Sequence, residues 1–553
     1  LGVRILREFH DTLGLRRHFT IYDRSDSQKA VKQAIEKCDY NPKEFEPRKI
    51  LGMISRAKGD AVTALEYKDM ANSYLEQVVS EVWEKYEDIL KQEHALDFDD
   101  LLAKTLFLLR EYKPVRETLQ KRYQYIHVDE FQDTNKVQFS IMELLTGESQ
   151  NVCVVGDIDQ NIYSWRGADI KNVLQFEKHF PDTTTILLEE NYRSTQTIIA
   201  ASNDIIKKNQ NRVEKNVFTN NDEGDKITLY AGMTGIDEAE YVALTAKSLI
   251  DEGAEPSSIA VLYRTNFQSR SLEEAFLNYE VPYQLLGTKF FERKEVKDVL
   301  SYLRLALNPG SNADLTRVIN TPTRGIGKIT MLKVIEGKRA ELNAGAAAKV
   351  KVFDDIMSDI AKTAAEKPLS DTIKFIMKRT GLEDSLKDEG TEEALERVEN
   401  LRELVTLASR FNDINPSEAV EQLLETAALQ SDQDEIKDKE EQNAVRLMTV
   451  HAAKGLEFGH VFITGLEEGL FPHERLDDGK TDQEEERRLF YVALTRAEEK
   501  LYLTYAHMRT IFGSQRVNVP SSFLNDISTE HVEAAEPEGG GHTSGYETTV
   551  YLD

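Results

Sequence analysis

The chain has 553 residues, 40% of them hydrophobic and 30% charged, with a formal net charge of −28. That length calls for roughly three to five domains rather than one core, and no apolar run is long enough to span a bilayer. The charge excludes a nonspecific polycation for nucleic acid but not a local basic groove, because binding follows the distribution of charge rather than its sum.

Nothing in the chain reads as a signal peptide. The only cysteines, Cys38 and Cys153, form no disulfide framework. A reducing cytoplasm is therefore the expected location, with no membrane partner. The first residues read as the middle of a helix starting at Leu1, so an incomplete N-terminus is expected.

Residues 1–110 read as helical, with apolar residues at helical spacing over 1–15, 27–38, 47–57 and 71–93. Trp83 falls in the last of these and reads as a core residue. The run LDFDDLL at 96–102 opens another helix with acidic residues suited to its first turn, and a short β alternation is read after it. Tyr125–Val128 then forms a short apolar strand ending in Asp129 and Glu130. In open α/β sheets that edge is where ligands bind. Adjacent strand residues point to opposite faces, so the two carboxylates can serve differently. One can hold a Mg²⁺ bound to phosphates, and the other can orient or deprotonate a water.

A second strand over 151–155 ends in Gly156-Asp157 and continues as IDQNIYSWRGAD. A third, over 184–188, ends in EENYRST. Strands at 227–231 and 259–263 alternate with helices as parallel βαβ units do, the second running into YRTNFQSR at 263–270. Residues 290–440 are helix-rich and end in the acidic stretch 431–442; strands return at 444–450, 460–465 and 500–505. This is the pattern of a helical insertion splitting an α/β domain. AAEPEGGGHTSG at 534–545 is a flexible linker by composition.

Several separated stretches carry phosphate or nucleotide chemistry. Gln160 offers an amide to a terminal phosphate. Tyr192 offers a flat ring for a purine, beside Arg193, a bidentate phosphate clamp. TVHAAKGLEF at 449–458 supplies Gly455 and Glu457, the latter suited to a ribose hydroxyl. Arg496, in EEERRLFYVALTRAEEKL, is placed to reach a transferring phosphoryl group. Each has a bland alternative: a surface ion pair for Arg193 or Arg496, packing for Tyr192, a solvated helix face for EEERR.

Together and in this order, VDEFQDTN, VGDIDQNIYSWRGAD, LEENYRS, VLYRTNFQSR, TVHAAKGLEF and RRLFYVALTRA closely resemble the successive motifs of the UvrD/PcrA/Rep family of superfamily 1 DNA helicases. The resemblance covers essentially the whole chain. It implies an α/β fold of two RecA-like parallel-sheet motor domains, the first incomplete, each with a helical insertion domain. On that layout the first motor domain takes 1–20 and 96–187, with its insertion at 21–95. The second takes 188–289 and 443–530, with its insertion at 290–442, and 531–553 is a flexible tail.

The resemblance also implies roles. Asp129 would coordinate Mg²⁺ and Glu130 would be the catalytic base of ATP hydrolysis. Gln160, Arg193 and Arg496 would contact the γ-phosphate, Tyr192 would stack on adenine, and Glu457, with Gly455 beside it, would hold the ribose. Tyr163 and Trp165, taken as an extended segment with both rings on one side, would stack on successive bases, and Arg166 would link them to the nucleotide. Phe512 matches another base-stacking position, and Asn266 and His451 match backbone-contacting ones. Stacking suits a motor that does not read sequence, because every base has a π-face. TPTRGIGKIT at 321–330 resembles the turn, here Gly325 and Gly327, that grips duplex phosphates through backbone amides.

The implied activity is ATP-dependent 3′→5′ movement on single-stranded DNA and unwinding at single/double-strand junctions, in repair or replication, as a monomer or DNA-dependent dimer with loading proteins as partners. One family element is absent from these residues: the phosphate loop GxxxxGK[ST]. Gly327-Lys328 is followed by Ile329, and position 322 is Pro. That absence favours a rival reading, a non-catalytic DNA- or partner-binding remnant. A nuclease is the weaker rival, since nothing after Phe512 has the required acidic cluster with Lys.

Overall fold

The computed structural model describes residues 1–42, 44–437, 443–473, 482–511 and 514–535. The chain divides into two compact units, Leu1–Leu187 with Arg212–Glu214, and Leu188–Asn211 with Lys215–Asp553. Among the described residues no helix is long and apolar enough to cross a membrane.

The first unit is mostly helical. Its longest helix, Tyr74–Gln92, begins where Ser73 and Glu76 cap each other reciprocally, which satisfies two amides the first turn leaves open. Its apolar face buries Val78, Val79, Val82, Trp83 and Tyr86 against Ile50 and Ile54 of the helix Pro47–Gly59. LDFDDLL opens the helix Phe98–Glu111, with Asp97 as N-cap and Asp99 and Asp100 in the first turn. The β alternation read after it is instead helix. Leu106, Leu108 and Leu109 are buried on one helical face, and a second helix, Lys113–Arg122, follows with Pro114 in its first turn, where a missing N–H is harmless. The helix read over 1–15 is shorter, Gly2–Glu8, followed by a 3₁₀ turn at His10–Leu13 that ends on Gly14.

Two parallel strands, Ile126–Val128 and Val152–Val154, pair in register, His127 opposite Cys153. The third strand, read at 184–188, does not form. Apolar composition favours a strand, but backbone groups need a neighbour, and no described strand pairs with this segment, whose Ile186 and Leu188 are 77% and 82% exposed. The extended pairing begins two residues later, between Glu190–Asn191 and Phe218–Thr219.

The second unit is built on an eight-stranded sheet among the described residues. From one edge, its order is Val532–Ala534, Ile227–Thr234, Ala497–Ile511, Phe458–Ile463, Ile259–Tyr263, Val445–Thr449 and Tyr283–Leu285, all parallel. Ser514–Val517 adds an antiparallel turn-back on Ala497–Ile511. Ile259–Tyr263 is buried at all five positions, as a strand covered on both faces must be, which is why it reads as a continuous apolar run. Val532–Ala534, placed in the tail by the family layout, forms an edge strand because its backbone pairs with Ile227–Leu229.

Between Leu285 and Val445 the chain leaves the sheet for helices with a core of their own, including Ile360, Ile373, Ile376, Leu401, Leu404 and Leu423. The helix Glu392–Ser409 bonds both to the segment that follows Ile259–Tyr263, through Asn266 and Arg270, and to Arg293 within the insertion. Along one face Glu396 accepts from Asn266 Nδ2 (3.0 Å), Asn400 Oδ1 accepts from Arg293 (2.7 Å), and Glu403 pairs with Arg270. Spacings of three, four and seven residues place these groups on one helical stripe.

Candidate nucleotide and DNA sites

In the first unit the strand Ile126–Val128 ends before Asp129, and the alternation that would separate the two carboxylates no longer applies. Their divergence comes from a turn. Glu130 adopts a left-handed backbone, φ 49°, unusual for a residue with a side chain and of order 1–2 kcal/mol costly. Surrounding bonds impose it: Phe131 N donates to Val155 O (2.9 Å) and Asp133 N to Glu130 O (2.9 Å). Asp129 Oδ1 accepts from Glu130 N at 2.9 Å.

The Glu130 carboxylate accepts from Gln132 Nε2 at 2.6 Å, and the other end of that amide, Oε1, accepts from Asp157 N at 3.0 Å. Gln132, itself 1% exposed, therefore joins the acidic turn to the next strand's end. A Cβ at Gly156 would lie 2.4 Å from Gln132 Oε1, so glycine is needed there to admit this bridge. Gln160 Nε2 donates to Asp157 Oδ2 at 3.0 Å, which ties it into the same chain of bonds. Sequence reading gave Gln132 no role of its own. Its position inside DEFQD was the only available signal, and its partner lies 25 residues away.

Tyr163 and Trp165 are neighbours, with ring centroids 6.3 Å apart at 64°. The segment is not extended: Ser164–Arg166 is a 3₁₀ turn, closed by the bond from Gly167 N to Ser164 O. The rings therefore meet edge to face rather than standing side by side on a strand. The side chain of Arg166 lies outside the described residues. Trp165 is 46% exposed, unlike the buried Trp83. Trp165→Ala should leave the melting temperature nearly unchanged while single-strand affinity falls by about 1–3 kcal/mol. A large loss of stability with unaltered affinity per folded molecule would show that the indole serves packing instead.

In the second unit three stretches far apart in sequence come together. Asn191 Oδ1 accepts from the amides of Arg193 (2.9 Å) and Ser194 (2.8 Å), which shapes the turn after Glu190–Asn191 and leads into the helix Gln196–Ile206. Tyr192 projects from this turn, 78% exposed, its hydroxyl donating to Glu190 (2.8 Å), a bond that raises the phenol's pKa. Arg193 Nε donates to Glu457 Oε2 at 2.8 Å and Nη1 to Thr495 O at 3.2 Å. Glu457 follows Gly455, whose φ of 84° glycine adopts without strain, in the loop between the strands Val445–Thr449 and Phe458–Ile463.

Arg496 lies just past the helix Gln483–Leu494 and is 3% exposed. Its guanidinium donates to Val492 O (3.0 Å), Leu456 O (3.0 Å) and Thr495 Oγ1 (3.3 Å). The two arginines and the glutamate expected to meet nucleotide thus sit around one point, Leu456 to Thr495. Arg193 and Glu457 here engage each other.

Asn266 and His451 follow the C-terminal ends of the adjacent strands Ile259–Tyr263 and Val445–Thr449, joined by the bond from Val450 N to Tyr263 O (2.9 Å). Beside them Arg264 forms a bidentate pair with Glu486, 2.7 and 3.0 Å. Burial and the neighbouring Glu396 push Glu399 up to about 7. Gly325 and Gly327 lie in the helical insertion, ahead of the helix Lys328–Ile335. Phe512 lies outside the described residues.

Residues 1–181 match the UvrD/REP helicase N-terminal domain, and residues 186–508 match the UvrD-like helicase C-terminal domain. The chain belongs to the UvrD/Rep helicase family. It is 41% identical to the ATP-dependent DNA helicase PcrA of Bacillus subtilis (strain 168), over 96% of this chain and 75% of that protein. It is 40% identical to the PcrA proteins of Staphylococcus aureus (strain MRSA252) and Staphylococcus epidermidis, over 99% of this chain and 76% and 77% of those proteins. Within the UvrD/Rep family frame, the parallel sheet with many helices is the α/β architecture the motifs imply.

Proposed function

We propose that this chain belongs to an ATP-dependent DNA helicase that moves 3′→5′ on single-stranded DNA and unwinds duplex at single/double-strand junctions. The observation that carries the reading is the convergence of Arg193, Glu457 and Arg496, with Tyr192 exposed beside them. Two guanidiniums, a carboxylate and an open ring suit the terminal phosphate, ribose and base of a nucleoside triphosphate. The relatives named as ATP-dependent DNA helicases support it. Polarity and the division into two motor domains, each with a helical insertion, follow the family resemblance.

In this reading Glu130 accepts a proton from the attacking water, and Gln132 orients its carboxylate. Asp129 would hold Mg²⁺, which would supply positive charge beside the triphosphate. The Asp129 carboxylate is a hard oxygen donor of the kind that ion takes, since Mg²⁺ commonly binds one or two carboxylates plus phosphates and water. Gln160 donates an amide hydrogen bond to the transferring phosphoryl group, and Arg193 and Arg496 neutralise its charge. Tyr163 and Trp165 stack on bases, Asn266 and His451 meet the backbone, and the Gly325–Gly327 turn meets duplex phosphates. Cytoplasmic DNA repair or replication, with loading proteins, is the setting we propose.

The second reading, a binding remnant, is favoured by one observation: no GxxxxGK[ST] occurs in the 553 residues. Without that loop the α- and β-phosphates lack their cradle of amides and Lys. The 553-residue chain alone should therefore release no phosphate from ATP above background, even with single-stranded DNA. A form extended ahead of Leu1 by a segment carrying the loop should show DNA-stimulated phosphate release. Turnover by the chain alone, free of contaminating helicase, would show that the loop is dispensable. An inert extended form would favour the remnant.

A further inference from the structure

The Gly325–Gly327 turn is fastened from one side and open on the other. Asn320 Oδ1 accepts two of its amides, Arg324 N at 2.8 Å and Ile326 N at 3.2 Å. Ile326 is 3% exposed and anchors the turn in the insertion core. The Arg324 guanidinium is 5.8 Å from the ring centroids of both Tyr302 and Phe353. It donates to the carbonyls of Val318 (3.0 Å), Thr321 (3.0 Å), Pro322 (3.3 Å) and Thr380 (3.4 Å). Lys349 Nζ closes the far end on Gly325 O at 3.1 Å.

Among the described residues the amides of Gly325, Gly327, Lys328 and Ile329 have no acceptor. Gly325 needs to be glycine for its own conformation, φ 68°. Gly327 does not. Its φ is −77°, open to any residue, and a Cβ there would meet no heavy atom within 4 Å. Nothing among the described residues explains a glycine at 327, whereas a ligand approaching the backbone closely would explain it.

We infer that Asn320 and Arg324 are positioning residues for the duplex grip: they touch no DNA, but hold the amides of Gly325, Gly327 and Lys328 in place for phosphate oxygens. The inference rests on the proposed reading that this turn meets duplex DNA. The chemistry is general. Backbone N–H groups fix a protein on a duplex only when their directions are preset, because bonds to phosphate carry position rather than sequence. Asn320 supplies that setting through two hydrogen bonds to the turn itself. Arg324 supplies it by gathering four carbonyls that would otherwise compete for the turn's path.

The test measures binding of the 553-residue chain to a 3′-tailed duplex and to the tail strand alone, over a range of salt. Gly327→Ala, which the fold accommodates, should weaken the tailed duplex only. Asn320→Ala removes the acceptor of two hydrogen bonds and should weaken the tailed duplex roughly tenfold, about 1.4 kcal/mol. Its slope of log affinity against log salt should stay nearly unchanged, because neutral amides release no counterions, with tail-strand binding unchanged. Arg324→Lys keeps the charge but cannot reach four carbonyls, and should show the same selective loss. If Gly327→Ala binds the tailed duplex normally, the turn does not meet DNA and the underlying reading fails. If Gly327→Ala is weakened while Asn320→Ala and Arg324→Lys bind normally, the positioning role alone is overturned. Equal loss on both DNAs, with a lowered melting temperature, would also overturn it by showing a general structural role.

Discussion

Glu130→Gln, in a form carrying the phosphate loop ahead of Leu1, should keep nucleotide binding and lose turnover by about 10²–10⁴, the range positioned proton transfer usually supplies. The substitution is nearly isosteric and leaves Asp129 to hold the metal. It exchanges a carboxylate that takes a proton for an amide that does not. The local structure should survive. The bonds that impose the left-handed turn are backbone bonds from Phe131 and Asp133, and the new amide oxygen can still accept from Gln132. ATP affinity by a fluorescent analogue and phosphate release under saturating single-stranded DNA separate the two effects. Turnover within a few-fold of the parent would assign the base to another residue.

Lys58→Met should cost about 3–5 kcal/mol, the penalty for breaking a buried charge pair by removing one partner. Lys58 is 3% exposed, and its ammonium lies 2.8 Å from Asp100, 3.0 Å from Asp97 and 3.3 Å from Glu87. Asp97 also accepts from Tyr86 at 2.8 Å, and Lys104 reaches Glu87 at 3.2 Å. Burial works to lower the Lys58 pKa, but Asp100, Glu87 and Asp97 outweigh it and hold it well above the usual value. Burial likewise pushes Asp100 upward, with Lys58 the main opposing influence. Removing Lys58 leaves Asp100 buried with only Lys104 opposing the effect of burial, so its folded pKa rises further above the unfolded one. The folded variant then binds more protons than the unfolded chain between the usual carboxylate range and neutrality, and its stability rises as pH falls through that window. The deficit should be largest near pH 7 and smaller near pH 5 in urea unfolding followed at Trp83. A loss under 1 kcal/mol, or one indifferent to pH, would show that the network is not what binds these helices.

Much of this was legible from local pattern. The strand 259–263 is apolar at every position because both its faces are covered, so its ends were read without error. LDFDDLL announced a helix start because Asp97 and Asp100 cap locally. Where the deciding partner is distant, pattern failed. The run at 184–188 has a strand's composition but no described neighbour to pair with. Glu130's backbone is set by Val155 O, and Gln132's orientation by Asp157, on the neighbouring strand's end. The pairing of Arg193 with Glu457 joins residues 264 apart. No spacing rule reaches that far, and only the ordered set of motifs pointed to both.

The helical insertion sits inside the sheet's own sequence, so it governs when that sheet can be completed. The strands Ile259–Tyr263 and Val445–Thr449 are neighbours, and beside them Ser257 N donates to Asn443, 186 residues on. Closing a flexible loop of that length costs roughly 4–5 kcal/mol of chain entropy. Helices with their own core around Ile373 and Leu404 form from nearer neighbours, and once folded they shorten the effective loop to the segments that flank them. The insertion is in this sense a built-in folding template for the sheet that contains it. Hydrogen exchange during refolding would register the order as protection over 294–407 ahead of 445–449.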